Sequence, residues 1–256
     1  LSLLSFAFLL LISTTVLAQS WTYVGNEEFA GNRINYPDIT VFNGEVYIVY
    51  QDLDNGQKAN VMKFDGNSWQ QVGESGFSVD KAVETRLDIS SSGELYVAFK
   101  DYDAFNRPTV MKYDGNSWAA VGNRGFSGKT ADEIDLVVMN DVPYIAFQAN
   151  NSGVVVYKFD GNSWVSVGSE TGVSYGKARY VSLSGNSSND NLLLAHEAIL
   201  TLQQKATCRR FDGSEWIDEG SPYFSEGNVS FVSLALDGDT PYVAYADDSN
   251  NQDDDI

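Results

Sequence analysis

The sequence predicts an all-β protein, a β-propeller of four-stranded antiparallel blades with a period near 49 residues. Two observations support this. Within each period, four short stretches rich in Val, Ile, Tyr and Phe are separated by Gly, Asn or Asp, and no stretch keeps a helical period. Four antiparallel strands per repeat are typical of a propeller blade. The tryptophans also follow this period, at Trp21, Trp69, Trp118, Trp164 and Trp216.

The first segment, residues 1–18, reads LSLLSFAFLLLISTTVLA and carries no charge. It ends on Val16-Leu17-Ala18, which suits signal peptidase, so we predict a secretory signal peptide truncated at its start. The protein is then expected to be secreted or displayed at the cell surface, with no membrane span after the signal is removed. A membrane anchor is the alternative interpretation.

Residues 19–246 form the predicted propeller domain. An outer strand at Trp21–Gly25 precedes four full units, and two strands of a fifth unit follow near Phe231–Ala246. Residues 247–256 are an acidic tail or a truncated third strand. The ring is therefore incomplete or five-bladed. Because a ring has to cap its ends and the initiator Met is missing, we expect a monomer whose sequence is cut at both ends.

The four strands of the second full unit are predicted at Leu87–Ser91, Glu94–Lys100, Thr109–Tyr113 and Trp118–Gly122. Second strands such as YIVY and YVAF are apolar at consecutive positions. This pattern is expected where both faces of a sheet meet a neighbouring blade, whereas a β-sandwich would show cleaner alternation.

The motif FDGNSW, with its variants YDGNSW and FDGSEW, links the third strand to the fourth in each full unit. Asp-Gly suits a tight turn, and Trp supplies a large apolar surface between blades. Four equivalent copies argue against catalysis, because an active site needs one asymmetric group of residues. We therefore predict a structural role for Asp65, Trp69, Asp114, Trp118, Asp160, Trp164, Asp212 and Trp216.

The inner strands carry candidate metal ligands. Asp38, Asp88 and Asp135 occupy matching places in the repeat, with Ser182 and Ser233 in the later units. Facing the central channel, three carboxylates would suit calcium. Hydrogen bonding to neighbouring backbone, or hydration, is the alternative, and no other cofactor is predicted.

The loops after the second strands are acidic and lie on the face where propellers usually bind ligands. Two arginines are expected just before inner strands on that face. The candidate ligand-binding residues are Asp52, Asp54, Asp101, Asp103, Arg86 and Arg179.

The single histidine and the single cysteine are interpreted as core residues. His196 falls where Phe99 and Phe147 stand in other units, and Cys208 falls where valines stand. The chain has 35 acidic against 16 basic residues, a net charge of −19. Such a surface repels nucleic acid and anionic membranes, so no nucleic-acid partner is expected.

The unit resembles the blades of secreted bacterial β-propeller proteins in the broad kelch, galactose-oxidase central domain and sialidase-like group. The resemblance covers Trp21 to Ala246, but the kelch double glycine is absent. FDGNSW is one residue shorter than the sialidase Asp box. Of the three arginines that a sialidase needs, only Arg86 and Arg179 occupy comparable places.

The resulting functional hypothesis is a non-catalytic exported scaffold that presents loops to a glycan or a protein at the cell surface. One alternative is a sialidase-like glycoside hydrolase or lyase, which would need a non-repeated cluster of carboxylates, Tyr and Arg. Another is a structural repeat region of a larger adhesin. Fold alone does not decide between them.

Overall fold

The computed structural model describes residues 22–26, 28–31, 33–150 and 153–249. The predicted signal peptide, Trp21 and most of the acidic tail lie outside these residues. Within them the chain is all-β. Four sheets contain four antiparallel strands each, in sequence order from the inner strand to the outer strand, and a two-stranded sheet follows.

The strands of the first two sheets are β1 (Ile34–Phe42), β2 (Glu45–Asp52), β3 (Lys58–Phe64), β4 (Trp69–Gln71), β5 (Ala82–Ile89), β6 (Leu95–Asp101), β7 (Arg107–Tyr113) and β8 (Trp118–Ala120). The remaining strands are β9 (Ala131–Met139), β10 (Val142–Ala149), β11 (Gly153–Phe159), β12 (Trp164–Ser166), β13 (Ala178–Asn186), β14 (Asn191–Ile199), β15 (Gln204–Phe211), β16 (Trp216–Asp218), β17 (Val229–Asp237) and β18 (Thr240–Asp247).

The part of the chain that the structure describes has no helix long and apolar enough to cross a membrane.

Successive sheets pack in a propeller-like arrangement, in which each inner strand lies beside the next: β1, β5, β9, β13 and β17. An apolar core fills each gap between neighbouring sheets. Val49 of β2 and Leu87 of β5 share one buried cluster, and three further clusters join the later pairs of sheets. Burial on both faces explains the consecutive apolar positions, so this prediction is confirmed. The number of blades in the complete ring stays a prediction.

The outward faces of the first and last described sheets are different. Ile39 of β1 occupies the place of Leu87 in β5, since the two pair with Ile48 and Val97. Leu87 is 5% exposed, whereas Ile39 is 62% exposed. At the other end, Tyr242 of β18 is 59% exposed. Both faces are therefore partly apolar and open among the described residues.

Every inner strand contains a bulge, where one residue other than Gly adopts the left-handed backbone conformation. The φ angle lies between 50° and 57° at Tyr36, Glu84, Glu133, Tyr180 and Phe231. The bulge in β5 falls between Val83 and Arg86. It interrupts the alternation of side chains. For this reason the strand predicted at Leu87–Ser91 in fact begins earlier, at Ala82.

The FDGNSW motif forms a side-chain-stabilised turn. Asp114 Oδ1 accepts the backbone N–H groups of Asn116 and Ser117, both at 2.8 Å. Gly115 has a φ of 94°, which an L side chain rarely adopts. The copies at Asp65, Asp160 and Asp212 accept the same two bonds. These bonds hold the pKa of each turn aspartate below its usual value.

The tryptophan of each motif attaches its sheet to the preceding one. Trp118 Nε1 donates to the carbonyl of Val72 at 3.1 Å, and the indole stacks on Phe77 with ring centroids 4.3 Å apart. Gly73 has a φ of 70° and leaves no room for a side chain, because a Cβ there would lie 2.8 Å from Trp118 Nε1. The same N–H to carbonyl bond joins Trp69 to Val24, Trp164 to Val121 and Trp216 to Val167.

The outer strand predicted at Trp21–Gly25 is wrong for its described part, because residues 22–25 form no strand. Val24 and Gly25 lie against Trp69, as Val72 and Gly73 lie against Trp118. They correspond to the chain that follows an outer strand.

We expect Trp118→Ala to lower the free energy of unfolding by ~3 kcal/mol, because it removes a packed aromatic between two sheets. Trp118→Phe keeps most of the packing and loses the bond to Val72, so its cost should be nearer 1 kcal/mol. Urea unfolding followed by circular dichroism measures both. Equal midpoints for wild type and Trp118→Ala would contradict the role given to the indole.

Candidate functional site

The inner strands share one matching position, called here the channel position because it would face the central channel of a propeller. Judged by their pairing across to the second strand, the residues there are Asp38, Arg86, Asp135, Ser182 and Ser233. Asp88 lies two residues further along β5. The sequence alignment of Asp88 with Asp38 and Asp135 is therefore wrong in register. The reason is the loop at 90–94, which is longer than its two-residue counterpart at 43–44.

These channel side chains hold neighbouring inner strands together. Asp38 Oδ2 accepts the N–H of Leu87 at 2.8 Å, and Asp135 Oδ2 accepts that of Leu183 at 2.6 Å. A guanidinium has no acceptor, and Arg86 occupies this place in the second sheet. In this sheet Asp88 Oδ2 is the acceptor instead, and it accepts the N–H of Val138 at 2.6 Å.

Ser182 Oγ plays the same part for Leu234, at 3.0 Å. In all three aspartates the other carboxylate oxygen, Oδ1, accepts the N–H of the residue that follows. Both oxygens of each carboxylate therefore accept hydrogen bonds from backbone N–H groups. Such bonding to neighbouring backbone is the alternative to calcium binding given in the sequence analysis.

Burial is the largest cause of the pKa shifts of the three inner-strand aspartates. It raises the pKa of both Asp88 and Asp135 to about 6, and it raises the pKa of Asp38. Backbone hydrogen bonds oppose this shift in each case. Arg86 also lowers the pKa of Asp38 and Asp135, and its Nε lies 3.7 Å from Asp135 Oδ1.

The residues that the structure describes contain no group of three or more His, Cys, Asp or Glu side chains placed to hold a metal ion. Calcium binding by Asp38, Asp88 and Asp135 stays a prediction. Their observed contacts are those of acceptors between strands.

The acidic loop residues divide into buried and exposed members. Asp101 is 1% exposed and accepts from Thr109 Oγ1 at 2.8 Å and from Arg124 Nε at 2.9 Å. Asp52 is 3% exposed and accepts from Asn60 Nδ2 at 3.1 Å. Both carboxylates hold the following loop in place.

Asp54 and Asp103 stand two residues after these buried carboxylates, are more exposed and form ion pairs. Asp54 lies 2.8 Å from Arg33, and Asp103 lies 3.0 Å from Arg124. Their solvent exposure leaves them as candidates for ligand contact.

The two candidate arginines are inside inner strands, not before them as predicted. Arg86 is in β5 beside Asp135, and Arg179 is in β13 opposite Glu197. The bulges extend these strands toward the loops, so both strands begin earlier than the sequence predicts.

His196 and Cys208 are both buried, as the sequence indicated. Burial lowers the pKa of His196 to about 4 and raises the pKa of Cys208 to about 12. The imidazole and the thiol therefore stay uncharged near neutral pH. Neither imidazole nitrogen has a hydrogen-bond partner in the described structure.

A cleft that the sequence did not predict lies between the second and third sheets, at the end where β6 and β10 begin. Its volume is about 580 Å³. It combines aromatic rings with charged groups, and its lining includes Glu94, Tyr96, Lys112, Asp141, Tyr144, Lys158, Phe159 and Asp160.

The charged part of the cleft derives from a repeated Tyr–Lys contact. The ammonium of Lys112 lies 5.5 Å from the ring centre of Tyr96, and that of Lys158 lies 6.0 Å from that of Tyr144. The first sheet has the same contact between Lys63 and Tyr47. The lysines stand two residues before the motif aspartates, which is the one signal of this site in the sequence.

The third copy differs from the others in one respect. Glu45 lies 2.6 Å from Lys63, and Glu94 lies 2.6 Å from Lys112. Val142 stands at the corresponding position, two residues before Tyr144. Lys158 consequently forms no ion pair within the described part of the chain, and its ammonium is available to a ligand in the cleft.

No protein-family model and no curated protein sequence matches the chain. Solved structures do. The lectin of Aleuria aurantia, described as a six-bladed β-propeller and solved with fucose-containing ligands, aligns with a TM-score of 0.56 at 18% identity, covering 82% of this chain and 70% of the lectin. A Dyadobacter fermentans protein of unknown function aligns with a TM-score of 0.54 at 12% identity, covering 82% and 71%.

An exo-β-1,3-galactanase of Clostridium thermocellum aligns with a TM-score of 0.48 at 12% identity, covering 86% of this chain and 56% of the galactanase. At these identities the alignments with a TM-score above 0.5 support the propeller-like fold and nothing finer. The chemistry of the chain has to be argued from its own residues.

The raised pKa of Asp88 gives a prediction for stability. Between about pH 6 and 4 the folded protein binds a proton at Asp88 that the unfolded chain does not bind. Protonation of Asp88 should therefore increase the free energy of unfolding by ~1–3 kcal/mol as the pH is lowered through this range. Urea midpoints measured from pH 7 to 4 test this.

Asp88→Ser is the matched variant, because Ser182 shows that a hydroxyl serves as the acceptor between inner strands. The variant should lose this increment while staying folded. Glu74→Gln removes one exposed charge and controls for the high net charge of the chain. Identical pH profiles for wild type and Asp88→Ser would contradict the assignment.

Proposed function

We propose that this chain is a non-catalytic glycan-binding protein and that a sugar binds in the cleft between the second and third sheets. The observation that carries the proposal is the ammonium of Lys158. It lies beside the ring of Tyr144 in a cleft of about 580 Å³ and has no carboxylate partner among the described residues. The corresponding lysines of the first two sheets, Lys63 and Lys112, form ion pairs with glutamates.

The other cleft residues supply the chemistry that sugars need. Pyranose rings pack their C–H faces on aromatic side chains, which Tyr144 and Phe159 provide. Sugar hydroxyl groups accept hydrogen bonds from Lys158 and donate them to Asp141. The carboxylate of Asp141 is already oriented by Ser91 Oγ at 3.0 Å and Ser92 Oγ at 3.3 Å.

The likeness to the Aleuria aurantia lectin supports a propeller as a scaffold for sugar binding. It does not carry fucose specificity to this chain, because the identity is 18%. The proposal includes export to the cell surface, which the apolar segment at residues 1–18 favours. Membership of the kelch or sialidase-like group remains part of the same proposal.

A glycoside hydrolase is the second candidate, and the raised pKa of Asp88 and Asp135 favours it. A catalytic carboxyl group has to reach the glycosidic oxygen or a water molecule. In both residues, however, the two oxygens accept backbone N–H groups. The binding function is therefore the better supported one. A screen with chromogenic glycosides should show no hydrolysis, and turnover abolished by Asp135→Ser would favour the enzyme.

Substitution at the cleft tests the binding site. A glycan array that includes α-L-fucosides and β-1,3-galactans should identify a ligand, and calorimetry then gives its affinity. Lys158→Gln should weaken binding about tenfold, because a charged hydrogen bond is worth ~1.5 kcal/mol. The matched control is Lys63→Gln, the same position in the first sheet, which should leave the affinity unchanged. Equal affinities for the two variants would contradict the proposed cleft.

A further inference from the structure

The loop between β6 and β7 exposes two aromatic side chains at the end of the second sheet opposite the cleft. Tyr102 is 52% exposed and Phe105 is 76% exposed. The cleft residues Glu94 and Tyr96 stand at the beginning of β6, and this loop follows Asp101 at its end. The two surfaces are separate.

The backbone at Phe105 is strained. Phe105 and Asn106 have φ angles of 62° and 59°, in the left-handed region that disfavours L side chains. In the first sheet Gly56 stands at the same distance from the end of its strand, with a φ of 66°. A large apolar side chain thus occupies a place suited to glycine, and it points into solvent. Strain of this kind is found at ligand-contacting sites more often than elsewhere.

Each exposed ring has a cation beside it. The ammonium of Lys81 lies 5.1 Å from the ring centre of Tyr102, and the guanidinium carbon of Arg107 lies 5.6 Å from that of Phe105. Neither cation forms an ion pair with a carboxylate in the described part of the chain. The nearby Arg124, by contrast, is paired with Asp101 and Asp103. Lys81, just before β5, and Arg107, the first residue of β7, therefore place two positive charges without a carboxylate partner beside this loop.

We propose that this loop, with Lys81, Tyr102, Phe105 and Arg107, binds an anionic sugar chain of the uronate class. The free faces of the rings pack against C–H groups of the sugar, and the two cations bind its carboxylates. An anionic membrane is a poorer match, because lipid surfaces are held by larger basic clusters than these two cations. The choice of a sugar over other polyanions rests on the proposed function.

The experiment measures binding of the full chain to polygalacturonate, to neutral β-1,4-galactan, and to phosphatidylserine vesicles. Wild type should bind polygalacturonate, with an affinity that falls as salt is added. Phe105→Gly should reduce this affinity at least tenfold and raise the melting temperature, because glycine accepts the left-handed conformation. The double variant Lys81→Gln/Arg107→Gln should also reduce the affinity and remove most of its salt dependence.

The matched control is Phe231→Gly. Phe231 is 71% exposed, with a φ of 56°, and its ring centroid lies 5.1 Å from that of Tyr180. Glycine there relieves the backbone strain and removes the ring contact, so the melting temperature should change little. The substitution should leave polygalacturonate binding unchanged. Equal binding of wild type and Phe105→Gly, equal binding of the neutral galactan, or Phe105-dependent binding of vesicles would each overturn the proposal.

Lys158→Gln separates this inference from the proposed function. If Lys158→Gln weakens binding of the array ligand while Phe105→Gly leaves polygalacturonate binding intact, the loop proposal is wrong and the cleft proposal stands. If polygalacturonate binding depends on Phe105 and no sugar depends on Lys158, the cleft proposal is wrong and the loop stands.

Discussion

The bond from a side chain of one inner strand to the backbone of the next is the constraint on which the arrangement of sheets depends. Asp38, Asp88, Asp135 and Ser182 each accept an N–H group from the inner strand of the following sheet. At the outer edge the indoles donate to carbonyl groups of the preceding sheet. With both edges attached, the apolar core between two sheets has one spacing and one register, and the loops at either end of the strands acquire defined positions.

Features encoded by neighbouring residues were predictable from the sequence. Asp114, Gly115 and Trp118 specify their turn and the start of the outer strand within a few positions, and the alternation of apolar residues identifies the strands. Features that depend on register across strands were not predictable. Arg86 replaces Asp88 at the channel position because of one longer loop. The bulge at Glu84 cannot be read from residue types, since left-handed Glu has no sequence signature.

The same limit explains why the cleft was missed. Lys158 directly precedes a motif that the sequence displays four times, with Lys before three copies and Arg210 before the fourth, and nothing in the motif distinguishes this copy. The difference is Val142, which lies far from Lys158 in sequence and near it only after β10 and β11 have paired. Both proposed binding surfaces share this logic. Each lies where one repeat departs from the others, at Val142 or at Phe105, and the repeated residues supply a rigid support on either side.

The packing of each sheet against its neighbours has a consequence for how the molecule loses its structure. Each sheet depends mainly on its immediate neighbours, so stability behaves like that of a one-dimensional array with coupled units. Among the described residues, the second, third and fourth sheets pack against a sheet on either side. The second and third sheets, which hold both proposed surfaces, should therefore be strongly protected against hydrogen exchange.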